Sequence, residues 1–464
     1  MDRRLRRPAA STNSSPHDHR HVTHLPVRRL GTRLGLAALA AFTLAAGCAS
    51  PGTKSSSSVS GAGATASSPA AATPAALPAD CTPLETRAPN ATGQTPAFPG
   101  QTRICGVTSN VAFDVVELTK ALDHPWSVEP LPDGRLLVTE RPGRLRIVSA
   151  SGQVGEPITG LPPVAAGGQG GLLDVALGPT FAQDRTIFWT FSEPRDGGNG
   201  TAIARGTLSA DGTKVDGVQV IFRVMPTYNG RQHFGSRIAF GPDGMLYSSF
   251  GERSDTPMRP NAQRLDGHLG KVIRIRPDGT VPQDNPFVGQ ADAKPEIWTR
   301  GHRNPQGLAF DAQGHLWQVE HGTRGGDELN LIQKGKNYGW PLQAYGIEYS
   351  GAQPITSPLG PSAPAVPGME QPTYFWDPVI APSGLQYYTG NAFPAWRGSL
   401  FVGGLAGKKL VRLVLDGTRV VGEEHLLVDR NQRIRDVRQG PDGLLYIVTD
   451  EAAGAVWKLV PKGQ

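Results

Sequence analysis

One unit recurs through most of this 464-residue chain. An apolar run leads into a Pro-Asp-Gly-like turn, a second apolar run follows, and a polar loop closes the unit. The copies are Trp126–Thr139; Leu172–Thr180 with Thr186–Thr190; Arg237–Tyr247; Gly307–Val319; a looser one, Gly384–Tyr388 with Ser399–Val402; and Ile434–Val448. Short apolar runs flanking a turn of this type predict β-hairpins. Six hairpins, spaced unevenly by about 50 to 80 residues, predict the blades of an all-β, six-bladed β-propeller, each sheet burying its faces against its neighbours. A pair of β-sandwiches is the competing architecture, disfavoured by six copies of one hairpin. The uneven spacing implies insertions, as at 281–292 and 347–371.

Composition agrees. Gly 58 and Pro 41 make just over a fifth of the residues, which favours short strands and turns, and no long helical period is visible beyond the leader. The net charge of +6 is misleading. Residues 1–47 hold eight Arg and two acids, enough to account for all of it, so the remainder is balanced and nucleic-acid binding loses its support.

Residues 1–47 read as an export signal. A basic region ends at Arg33, an apolar run covers 34–46, and Leu44-Ala-Ala-Gly-Cys48 follows. The run is too short to span a bilayer comfortably. Its end resembles the lipobox of bacterial lipoproteins, with Ala45 where Leu is usual; the resemblance implies cleavage before Cys48 and a lipid anchor on that thiol. An ordinary signal peptide is the alternative. Residues 48–79 are a Ser/Ala/Pro-rich tether unable to bury a core, and the propeller with an N-terminal extension occupies 80–464. An extracytoplasmic, membrane-anchored protein is expected. Cys81 and Cys105, the other two cysteines, are expected to form a disulfide.

Polar residues gather at equivalent ends of the hairpins. Gly167-Gly-Gln169-Gly-Gly171 offers an orienting amide among glycines that permit close backbone approach to a ligand. His233 just before one hairpin and Glu252 just after it are able to meet at one sheet end, as a general base and its orienting carboxylate require; a solvated histidine with an unrelated acid is the alternative. Arg303 and Asn304 precede the fourth hairpin, and a glycine-rich acidic loop follows it. Alternation puts Arg433 and Arg435 on one strand face as a comb for carboxylates or phosphates, unless Arg435 is simply paired with Asp436 or a neighbouring blade.

Together these groups, above all Gly301-His-Arg-Asn-Pro-Gln-Gly307, Gly325-Gly-Asp-Glu-Leu-Asn330 and Asn337-Tyr-Gly-Trp-Pro341, resemble the soluble pyrroloquinoline quinone (PQQ) dependent glucose/aldose sugar dehydrogenases over nearly all of 112–461. The resemblance implies a six-bladed propeller with PQQ and Ca²⁺ over its channel mouth, oxidation of aldoses at the anomeric carbon to lactones, and an external electron acceptor. By motif, His233 is the implied base, supported by Glu252. Gln169, Arg303, Asn304, Arg433 and Arg435 are the implied cofactor ligands. The carbonyls of Gly322 and Thr323 are the implied Ca²⁺ ligands, Pro being common at the latter's place. Glu328 and the Tyr338 carbonyl match a second, structural Ca²⁺ site. The family's quinone-contacting lysine falls on Ala406, leaving Lys408 or Lys409 as substitutes, or a site that binds PQQ less tightly. Substrate choice is expected to rest on loops 225–232 and 367–383, where Trp376 either stacks on a sugar ring or packs in the core. A propeller binding carbohydrate or protein without turnover is the alternative, with Ala406 its best support. A Ca²⁺-dependent lactonase fits the arginine comb poorly.

Overall fold

The computed structural model describes residues 80–463; the export signal, the Cys48 anchor and the tether expected over 1–79 lie outside them. Six antiparallel sheets follow one another along the chain. Blade 1 is Pro125–Pro130, Leu136–Glu140 and Arg144–Val148. Blade 2 is Leu172–Leu177, Thr186–Arg195, Gly198–Leu208 and Val215–Arg223. Blade 3 is Ile238–Phe240, Leu246–Phe250, Lys271–Ile275 and Ile297–Arg300. Blade 4 is Pro305–Phe310, Leu316–Glu320, Asp327–Ile332 and Tyr374–Trp376. Blade 5 is Pro382–Tyr387, Leu400–Gly404, Lys409–Asp416 and Arg419–Leu426. Blade 6 is Ile434–Gln439, Leu445–Thr449 and Gly454–Pro461, completed by Phe113–Leu122 from the other end of the chain. The first strand of each blade packs beside the first strand of the next, and the sixth returns to the first. The chain is a six-bladed β-propeller, and each of the six repeats is the inner hairpin of one blade.

The turn chemistry explains the repeat. In the Pro-Asp-Gly turns the Asp carboxylate accepts the backbone N–H two residues on, at 3.1 Å for Asp133, Asp243 and Asp442. The following Gly134, Gly244 and Gly443 sit at φ of 83°, 73° and 77°, where a side chain would be strained. Asp311 plays the part in blade 4 and also accepts the Trp317 indole N–H at 2.9 Å.

The second strands of the blades are buried on both faces, so alternation along them serves two neighbours. In Leu136–Glu140, Leu137 joins the cluster shared with blade 2, while Leu136 and Val138 join the one shared with blade 6. In Leu445–Thr449, Leu445 and Ile447 face blade 5, and Tyr446 and Val448 face blade 1. Blades 2 and 3, 3 and 4, and 4 and 5 each enclose a cluster of their own. Hydrophobic burial is thus spread over six interfaces, and the ring is complete only when Phe113–Leu122 pairs with Gly454–Pro461.

Two details refine the expected picture. Blade 1 has three strands, its would-be fourth reduced to a single bridge between Val148 and Val154. Trp376 packs in the core between blades 4 and 5 and is 5% exposed, so it offers no face to a sugar. The Cys81–Cys105 disulfide is present. It closes a segment tied to the propeller where Asn90 and Ala91 N–H groups donate to Asp377, and Val107 N–H to the Glu423 carbonyl, all at 2.9 Å.

Candidate active site

Antiparallel pairing puts the residues before each first strand and after each second strand at the same end of the ring. Pro305 pairs with Glu320, and Ile434 with Thr449. His302 to Asn304, Arg433, Glu320 and Asp450 are gathered there as a result, joined by His233 and Glu252 from blade 3.

His233 is 4% exposed. Its Nδ1 lies 2.6 Å from Glu252 Oε2, which fixes the N–H there and leaves Nε2 as the basic nitrogen. Burial holds the imidazole's pKa below its ordinary value; Glu252 opposes this and the charge of Arg303 reinforces it. Burial pushes the Glu252 carboxyl up, but His233 and Arg303 outweigh it, and the group stays ionised below the usual range. His233 occupies the left-handed region, at φ 50°, a conformation that costs energy for a residue with a side chain. Two contacts secure it. Gln169 Oε1 accepts the His233 N–H at 2.8 Å, and a Cβ on Gly251 would overlap the His233 carbonyl.

A cavity of about 280 Å³, close to the roughly 300 Å³ lower end of small-molecule sites, is lined by the neighbours of this pair, Gln169, Phe234 and Gly235, while His233, Glu252, Arg303 and Asn304 stand behind its wall. Its lining includes Gln169, Arg433 and Arg435, together with Trp126, Arg141 and Asp450. Arg433 and Arg435 both donate to Asp450 Oδ2, at 2.9 and 2.8 Å, so the predicted comb exists. Its carboxylate partner is Asp450, whereas Asp436 binds Arg237 and Arg438. Burial raises the Asp450 carboxyl's pKa, but Arg435, Arg433 and Arg141 outweigh it and hold it well below the carboxylate range. Three guanidinium groups around one carboxylate leave an excess of positive charge. Arg435 Nε is buried without a hydrogen-bond partner, an orphan donor of the kind that calls for a ligand.

Arg435 is linked to the base through amides. Its Nη1 donates to Gln306 Oε1 at 3.2 Å, Gln306 Nε2 donates to Asn304 Oδ1 at 3.2 Å, and Asn304 Oδ1 also accepts the Gly235 N–H at 3.2 Å. Asn304 Nδ2 faces His321 Nδ1 at 3.2 Å, and His321 Nε2 lies 2.8 Å from the Pro382 carbonyl. That pattern makes His321 a neutral donor through Nε2. Burial, then the charges of His233, Arg303 and Arg435, bring its pKa down to about 3. Arg303 is held by its own N–H on Glu320 Oε2 at 2.6 Å. Its Nη1 donates to the Gly322 carbonyl, its Nη2 lies 3.4 Å from the Tyr349 hydroxyl, and its buried Nε has no partner.

Other expected residues stand further back. Gly322 and Thr323 lie on the loop below Arg303, in a small recess shared with Glu328 and Trp340. Glu328 is half-buried near Glu320, and its pKa is pushed well above the ordinary value, first by desolvation and then by that neighbour. The Tyr338 ring stacks on His302 with centroids 4.8 Å apart. Neither Glu328 nor Tyr338 lines the larger cavity. Among the described residues no three His, Cys, Asp or Glu side chains converge as a metal site; the expected Gly322 and Thr323 ligands are carbonyls. The glycines of 167–171 serve protein packing. A Cβ on Gly171 would overlap the Arg141 carbonyl, and one on Gly170 would meet the Phe234 ring at 2.7 Å. Lys409 is ruled out as the replacement lysine, because its Nζ lies 3.1 Å from His425 Nε2 beside the N-terminal segment. Lys408 is exposed and absent from the cavity lining.

Trp126, Arg141, Gln306, His321 and Asp450 were not assigned from sequence. The signal for Asp450 was available, since Glu140, Glu320 and Asp450 all end or follow second strands in the way Glu252 does.

Fold and site together are a six-bladed propeller with a buried imidazole–carboxylate pair near an arginine-rich cavity. Residues 122–458 match the family model described as Glucose / Sorbosone dehydrogenase, and the chain belongs to that family, the soluble quinoprotein sugar dehydrogenases, as an oxidoreductase. It is 45% identical to the aldose sugar dehydrogenase YliI of Escherichia coli (strain K12) over 352 residues, covering 75% of this chain and 93% of that protein. A crystal structure of a glucose dehydrogenase is 50% identical with a TM-score of 0.71, covering 74% of this chain and 99% of that one. The PQQ-bound form of the aldose sugar dehydrogenase from Streptomyces coelicolor is 31% identical with a TM-score of 0.62, covering 75% and 98%.

Proposed function

We propose that the protein oxidises aldose sugars at the anomeric carbon to lactones, using PQQ and Ca²⁺ and passing the electrons to an external acceptor. One observation carries this reading: a neutral, carboxylate-oriented His233 stands beside a cavity whose guanidinium groups outnumber its carboxylates.

The residues fit the cofactor. A planar tricarboxylate matches Arg433 and Arg435, whose geometry suits bidentate carboxylate binding. The buried Arg435 Nε and Arg303 Nε are donors without partners. Gln169 spends its oxygen on His233 and keeps its amide N–H groups for the ligand. Ca²⁺ is assigned to the carbonyls of Gly322 and Thr323, beside Arg303, with Glu328 and the Tyr338 carbonyl as a structural second site. When bound, PQQ supplies the hydride acceptor and Ca²⁺ polarises it as a Lewis acid.

The chain's own part is positioning and proton transfer. His233 Nε2 takes the proton of the anomeric hydroxyl as hydride leaves the carbon. Glu252 keeps the opposite nitrogen protonated and stabilises the resulting imidazolium, so the base is strengthened at the moment of transfer. Asn304, fixed by the Gly235 N–H and Gln306, would help hold the bound cofactor. The Cys81–Cys105 disulfide favours an oxidising compartment, in keeping with export and lipidation at Cys48.

Titration of the apoprotein with PQQ in the presence of Ca²⁺, followed by calorimetry, tests the cofactor assignment. Micromolar or tighter binding that Arg435→Ala weakens at least tenfold is expected. Absence of binding contradicts the reading and favours a propeller without turnover.

A further inference from the structure

Arg433 and Arg435 each already donate to Asp450, and Arg303 to the Gly322 carbonyl, so each meets a ligand with its remaining N–H groups. Arg141 is different. It lies just beyond the second strand of blade 1 and lines the same cavity. Its backbone is clamped: the carbonyl accepts the Leu172 N–H at 3.1 Å, and a Cβ on Gly171 would overlap that carbonyl and meet Arg141 Cγ at 2.5 Å. The head of the side chain is not. Among the described residues its one ion pair is to Asp450 Oδ1, at 3.9 Å, and its side chain remains 23% exposed. A cation with an immobilised stem and an unengaged head, pressed toward two other guanidinium groups, is held ready for an anion.

The loop that should carry a cavity lysine has Ala406, with Lys409 turned to His425 and Lys408 in solvent. Arg141 enters from blade 1, separated from that loop by blade 6, and is the cation left to do that work.

We infer that Arg141 is a cofactor-binding residue, donating to an anionic oxygen of the PQQ tricarboxylate and supplying the cavity charge that Ala406 lacks. The inference rests on the reading of the cavity as the PQQ site. It also explains the glycine at 171, which lets blade 2 approach closely enough to hold the Arg141 stem.

The test is PQQ affinity, read by quenching of intrinsic fluorescence in the Ca²⁺-supplemented apoprotein, for wild type, Arg141→Gln and Arg141→Lys. Loss of a charge-assisted hydrogen bond is expected to weaken binding roughly ten- to a hundredfold in Arg141→Gln, with Arg141→Lys recovering part of it. Apoprotein melting temperature should be unchanged or raised by Arg141→Gln, because like charges are relieved. Equal affinity in wild type and Arg141→Gln overturns the inference while leaving the cofactor assignment standing. Weakened binding accompanied by a lower apoprotein melting temperature also overturns it, marking Arg141 as structural. A wild type that binds no PQQ defeats the cofactor assignment itself, and this inference with it.

Discussion

His233 and Glu252 share a hydrogen bond of 2.6 Å in a site where the imidazole is 4% exposed. Neither residue is free to turn, since Glu252 Oε2 also accepts the Ser254 N–H at 2.9 Å and the His233 N–H is held by Gln169. Glu252→Gln keeps the shape but removes the charge that orients the ring and steadies the imidazolium. The expected result is a fall in kcat of about 10²- to 10⁴-fold, with PQQ affinity changed only a few-fold. Steady-state kinetics on the reconstituted variant measure it.

The same pair sets a pH dependence. The base must be neutral, and burial places the His233 pKa below the ordinary histidine value. The acid limb of activity therefore lies below the ordinary histidine range, and activity is lost as the pH falls through that lowered value, as a profile of kcat/KM against pH would record.

Stability follows a related sign. His321 has a pKa of about 3 in the fold and about 6.5 when unfolded. Between those values the unfolded chain binds the extra proton, so stability rises with pH across the window and is lost as pH falls from 6.5 toward 3. Melting temperatures of the apoprotein should decline through this range. His321→Gln should flatten that decline, with a lower melting temperature at neutral pH.

Closure of the ring by Phe113–Leu122 predicts that deleting residues up to Leu122 exposes the edge of blade 6 and the apolar faces around it. Aggregation, or loss of the cooperative thermal transition, is the expected outcome. Replacing both Cys81 and Cys105 by Ser should be milder, a loss on the order of 2–4 kcal/mol, because the bonded segment lies outside the six sheets. Thermal and chemical unfolding distinguish the two.

Much of this architecture is legible in the sequence because its cause is local. An Asp that accepts an N–H two residues on, followed by a Gly at positive φ, writes the inner hairpins of blades 1, 3 and 6 into a short string. The His233–Glu252 pair is readable for the same reason, as positions before and after one hairpin share a sheet end. The comb of Arg433 and Arg435 follows from alternation. What escaped depends on contacts between blades. Arg141 faces Arg435 only because blades 1 and 6 adjoin, and Phe113–Leu122 carries no turn motif to mark it as the last strand of the ring. Gly171 shows the limit from the other side: a glycine-rich loop reads as ligand-binding, yet its missing Cβ makes room for the Arg141 carbonyl.

The central claim is most directly tested by aldose-dependent dye reduction with purified apoprotein, PQQ and Ca²⁺, comparing wild type with His233→Ala. The account predicts turnover that requires both additions and an aldose, and that falls by at least about a hundredfold in the variant. No aldose-dependent reduction by the wild type, or equal reduction by His233→Ala, would contradict it.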